Sequence, residues 1–154
     1  MEPDDTQLDP GLASLRLHRA ELLESMRALE QALAAPAAGR ASAWVERVSV
    51  ALVELEADFR EHVELTEAPD GFYGGVLATA PRLSSSVSGL IAEHAQIKDI
   101  VESLLTSASG RAVGGDVDGI RDTATALLAR LSRHRQRGAD LVYEAYETDI
   151  GGET

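Results

Sequence analysis

Four histidines stand in this chain of 154 residues, and each falls on a stripe of apolar residues with helical spacing. His18 lies between Leu15 and Leu22, and His62 follows Leu52, Leu55 and Phe59. His94 lies between Leu90 and Ile97, and His134 follows Leu127 and Leu131. A polar ring on the core side of a helix needs a partner, because burying it unpaired is costly. One solution is a neighbouring carboxylate or carbonyl for each ring. The other is a shared cation, since neutral imidazole is the commonest metal ligand. Imidazole nitrogen with some carboxylate oxygen suits iron, manganese or zinc.

The elements that carry these rings follow from periodicity and breakers. A first helix is expected over residues 11–35, ending at Pro36. A second covers 41–68 and stops at the turn sequence Pro69-Asp70-Gly71. Residues 69–80 read as a longer connection or a short extra turn. A third helix covers 81–109, with Pro81 suited to its first turn. A fourth covers 116–148, with Asp116 or Asp118 as N-cap. Alternating three- and four-residue steps run through all four, for example Leu83, Val87, Leu90, His94, Ile97, Val101 and Leu104. The fold class expected is all-α, an antiparallel up-down-up-down four-helix bundle. The bundle spans residues 11–150, between a disordered segment 1–10 and a tail 151–154.

Height along the bundle is the sharper test of a shared site. His18 lies 20 residues before the first connection, centred on Ala38, and His62 lies 24 after it. His94 lies 18 residues before the third connection, centred on Ala112, and His134 lies 22 after it. At about 1.5 Å per residue, all four stand roughly 27–36 Å from one end of the bundle. Separate core histidines need no common height, so the coincidence favours one site.

Composition removes other classes. The chain carries 26 acidic and 14 basic residues, a formal charge of -12. A nucleic-acid binder is expected to show a basic stripe. Here the only basic cluster is Arg130–Arg137, and acids follow it. No nucleic acid is expected. No apolar run reaches the length of a membrane span, and the N-terminus lacks the pattern of a signal peptide. The expectation is a cytoplasmic chain without membrane contact. Cysteine is absent, which excludes disulfides, zinc–thiolate sites and thiol chemistry.

One histidine per helix, in the stretches LRLHRAELLESM, FREHVELTE, LIAEHAQI and LSRHRQRGADLVYEAY, resembles the hemerythrin-like, or HHE cation-binding, family. The likeness runs from about Leu12 to Ile150. It implies a four-helix bundle around a non-haem, usually di-iron centre that binds or senses dioxygen, peroxide or nitric oxide. It makes His18, His62, His94 and His134 the nitrogen ligands. The family also supplies bridging carboxylates, often four residues after a histidine. Here Thr66 and Gly138 occupy those places after His62 and His134. Glu67, one residue further, is the acid expected to give an oxygen ligand if the helix end frays or bulges. Glu21, Glu61 and Glu93 flank the histidines and can fix imidazole tautomers, or simply face solvent.

Two alternatives remain at this level: a metal-free helical interaction module, and haem ligation by two facing histidines. Nothing in the residues decides whether the protein is an enzyme. Gly138 either opens space beside His134 for a small ligand or permits close helix packing. Tyr143 and Tyr146 either gate the site or pack the bundle end. The GFYGG stretch at 71–75 lacks the lysine and strand context of a phosphate loop.

Overall fold

A computed structural model describes residues 10–109 and 116–148. The expected terminal segments, apart from Pro10, and the third connection lie outside the described residues. Among the described residues five α-helices form: α1 (Pro10–Ala34), α2 (Ala41–Glu67), α3 (Phe72–Thr79), α4 (Ser84–Ala108) and α5 (Val117–Tyr143). A 3-10 turn, Pro81–Leu83, leads into α4, and a π-helical turn, Glu144–Thr148, follows α5. The four long helices pack against one another as neighbours, α1 on α2, α2 on α4, α4 on α5 and α5 on α1. The chain is all-α and consistent with an up-down bundle. No helix among the described residues is long and apolar enough to cross a membrane.

Local chemistry sets the boundaries. Pro36 and Gly39 end the first excursion, and Gly39 adopts φ +72° in the turn, a region that costs glycine nothing. Arg121 of α5 donates to the carbonyls of Leu33 and Ala35 at 3.2 and 3.4 Å and lies 5.0 Å over the Trp44 ring. It thereby serves carbonyls that the end of α1 leaves without helical partners. The Asp116 carboxylate accepts from the Gly119 amide at 3.0 Å, capping α5 as expected.

The α2–α4 connection holds more structure than an extra turn. Gly71 donates to the Ala68 carbonyl at 2.7 Å, and a Cβ there would lie 2.7 Å from the Leu65 carbonyl oxygen. Only glycine makes so tight a reversal, and α3 starts on the next residue. Gly74 and Gly75 lower the helix propensity of this stretch. Burial of Tyr73 and Val76 overrides that penalty.

Two apolar clusters fill the bundle. The larger runs through Leu22, Leu29, Leu52, Leu55, Phe59, Ile97, Leu127 and Leu131. The smaller gathers Tyr73, Val76, Leu83, Leu90 and Leu141. Between them lies one layer that is not apolar.

Candidate metal centre

That layer is formed by His62 of α2, His94 of α4 and His134 of α5. Each sits one helical step beyond a buried Phe59, Leu90 or Leu131, so the stripe that builds the core also carries the ring inward. All three are buried. Their Nε2 atoms converge. His94 and His134 approach to 3.0 Å and His134 and His62 to 3.4 Å, and one donor nitrogen of each lies within 4.8 Å of the others. Phe59 packs against all three rings at centroid distances of 5.6–6.5 Å.

The opposite ring nitrogens explain what the convergence means. His94 Nδ1 donates to the Glu67 carboxylate at 2.6 Å, and His134 Nδ1 donates to Glu93 at 3.0 Å. Glu93 is in turn held by Arg137. An ionised carboxylate only accepts, so each Nδ1 keeps its proton and each Nε2 presents a bare lone pair. Two lone pairs facing at 3.0 Å repel unless a positive centre lies between them. A cation about 2.0–2.1 Å from each nitrogen in tetrahedral geometry would hold them about 3.4 Å apart. The His134–His62 separation of 3.4 Å matches that spacing, and the His94–His134 separation of 3.0 Å lies somewhat inside it. Imidazole oriented through Nδ1 by a carboxylate is the usual arrangement of a metal-bound histidine.

The electrostatics agree. Burial, then the neighbouring imidazoles, push the His62 pKa down to about 3. Burial and His134 push His94 to about 3 as well. His134 is also lowered by burial, against an opposing contribution from Glu93. Three neutral imidazoles result, the protonation state that binds metal.

The residues singled out from the sequence divide. His62, His94 and His134 come together. His18 does not join them. It is half-buried at the α1–α2 seam, its Nδ1 3.1 Å from Glu21 and 3.0 Å from Glu61. Common height brought it to the right level, but the inward direction on α1 at that level belongs to Arg19, which lines the space beside the triad. Glu67 does reach the cluster, without a bulge, because α2 stays helical to that residue. It meets His94 on the nitrogen facing away from the triad, where it orients the ring. Glu21, Glu61 and Glu93 all pair with histidines.

Tyr73 was hidden from sequence reasoning. Its hydroxyl lies 3.4 Å from His94 Nε2, and its ring stacks on His94 at 5.8 Å. Burial raises its pKa and keeps the phenol neutral. The signal for it was the Gly71 reversal, which starts α3 at Phe72, one residue before it. Tyr143 is exposed, and Tyr146 stacks on Phe72 at 6.2 Å, so neither reaches the triad by these contacts.

Gly138 resolves toward open space. A Cβ there would meet nothing within 4 Å, which excludes close helix packing as its reason. It borders a cavity of about 20 Å³ shared with His62, His134, Tyr73, Arg19 and Arg135. That volume admits a ligand of water-like size. It is far too small for a porphyrin, and the 3.0 Å approach of His94 and His134 leaves no gap for one.

These observations define a four-helix all-α protein with a buried histidine triad whose donor set fits a metal cation. Comparison with protein-family models, curated proteins and solved structures finds no match for the chain.

Proposed function

We propose that the protein binds one transition-metal cation, iron by the resemblance to hemerythrin-like chains, through His62, His94 and His134. The observation that carries this reading is the gathering of three Nε2 atoms while Glu67 and Glu93 occupy the outer nitrogens of His94 and His134, which turns the lone pairs of those two rings inward. One cation satisfies these donors. A second ion bridged to it would need a carboxylate between the two, and Thr66 and Gly138 stand where the family places such acids. Thr66 instead donates back to the His62 carbonyl at 2.8 Å. The preferred reading is therefore mononuclear rather than the di-iron expectation.

Held by these three imidazoles, iron would keep an open coordination position for a small ligand. The chain's own residues shape what reaches that position. Phe59 and the two apolar clusters exclude water from most sides. Tyr73 offers a neutral hydroxyl at His94 Nε2, and Gly138 leaves space beside His134. The function that follows is binding or sensing of dioxygen, peroxide or nitric oxide in the cytoplasm.

Elemental analysis and absorption spectroscopy of protein expressed with added iron test the proposal. About one iron per chain without a Soret band is expected. Metal-free protein that takes up none of iron, zinc or manganese would overturn it. Two irons with near-ultraviolet oxo-bridge bands would overturn the mononuclear reading alone.

A further inference from the structure

A second group of donors lies outside the triad, on the α1–α2 seam. His18 and Glu21 of α1 meet Glu61 of α2 there, and one donor atom of each lies within 4.8 Å of the other two. His18 Nδ1 stands 3.1 Å from a Glu21 oxygen and 3.0 Å from a Glu61 oxygen. Glu21 shares the face of α1 with His18 because it follows by three residues. Glu61 reaches the same point from the neighbouring helix. The residues next to the two glutamates, Leu22 and His62, are buried, so the core holds both carboxylates in place at the rim of the seam.

Hydrogen bonding accounts for half of this arrangement. A ring nitrogen carries one proton directed along one line, so it serves one carboxylate well and leaves the other close without a donor. Among the described residues no arginine or lysine forms an ion pair with Glu21 or Glu61, in a chain of formal charge -12. A divalent cation at the meeting point removes both the shortage of donors and the repulsion between the carboxylates. Donors at about 2.1–2.2 Å from an octahedral cation and at right angles to one another stand about 3.0–3.1 Å apart. The two contacts of His18 have that spacing. One imidazole and two carboxylates suit a manganous or ferrous ion. The side chains of Glu21 and Glu61 are 44% and 55% exposed, which leaves the outer side of such an ion to water. Solvent screening of these charges makes the site weaker than the buried triad, so it fills second.

We propose that His18, Glu21 and Glu61 form a second cation site, separate from the triad, that holds a hydrated manganous or ferrous ion at the surface of the bundle. It shares no donor with the triad, so the two sites can fail independently.

Manganous ion is titrated into 15N-labelled protein in two forms, the parent carrying one equivalent of zinc and the metal-free His94→Ala variant. Paramagnetic broadening of the His18, Glu21 and Glu61 amides is followed. Saturation at one manganese per chain, centred on these residues, is expected in both forms. In either form Glu61→Gln should weaken binding by about tenfold or more, since the number of charged ligands sets affinity in oxygen-rich sites. Glu102→Gln, at an exposed acid of α4, should leave it unchanged. Broadening that spreads over the surface acids without saturating would overturn the site, as would equal affinity in Glu61→Gln and its parent. Displacement of the manganese by the first equivalent of zinc would overturn its separation from the triad. Saturable manganese binding at His18 in a protein whose triad takes up no metal would overturn the triad reading alone.

Discussion

His94 and His134 face each other through Nε2 at 3.0 Å while each gives its Nδ1 to a different glutamate. Neither half of that relationship is informative alone. Buried histidines commonly hold one carboxylate. Two that do so and also turn their remaining lone pairs toward each other, with a third ring arriving from α2, form a donor set that could hold a cation.

Removing one triad member should therefore act differently from removing His18. His94→Ala should eliminate high-affinity metal uptake, and His18→Ala should leave it within about threefold of the parent, its partners being Glu21 and Glu61 outside the triad. Calorimetric titration with zinc checks both. Equal losses would restore His18 to the site.

Glu67 and Glu93 act through the rings they hold. Glu93→Gln keeps the shape but removes the charge that fixes the His134 tautomer and pairs with Arg137. Metal affinity should fall by about 10- to 100-fold, and Glu67→Gln should do the same through His94. Circular dichroism should show an unchanged helical fold. Glu61→Gln serves as the control at a carboxylate remote from the triad's outer nitrogens.

Acid should destabilise the metal-free protein through these same rings. In the folded state His62 and His94 titrate at about 3, against an ordinary value of 6.5. Between those limits the unfolded chain binds more protons than the folded one. Stability is therefore fully present above pH 6.5 and is lost progressively as pH falls toward 3. The slope is at most about 1.4 kcal/mol per pH unit for each imidazole. Thermal unfolding across this range, repeated on His94→Gln, measures it. A parent and variant with the same pH slope would contradict the assignment.

Gly138 gives a test in which stability and ligand access move in opposite directions. Gly138→Ala adds a Cβ that meets nothing within 4 Å. It should stabilise α5 by about 1 kcal/mol, the helix-propensity difference between the two residues. Denaturant unfolding reads this. A destabilised variant would mean that the space is needed by the fold rather than left for a ligand.

The bundle was legible in the sequence because its signal is redundant. Every long helix repeats an apolar residue each three or four positions, and Pro36 and the Pro69–Gly71 turn mark two of its breaks unambiguously. The histidines of α2, α4 and α5 were legible for the same reason, since they replace core residues in register. His18 exposed the weakness of that argument. Level along the axis is fixed by counting residues, but direction at the seam's edge is decided between His18 and Arg19 by packing that counting does not see. Glu67 could be located but not assigned, because a carboxylate five residues after His62 points away from that ring on its own helix and toward His94 on another. Tyr73 was invisible because two glycines disguised α3 as a loop.

The central claim is that three imidazoles hold one cation. X-ray absorption of zinc-loaded protein tests it most directly. The expected first shell contains three imidazole nitrogens at about 2.0–2.1 Å with their outer-ring scattering. A shell of oxygens with one imidazole or none, as a cation held by surface carboxylates would show, would contradict it.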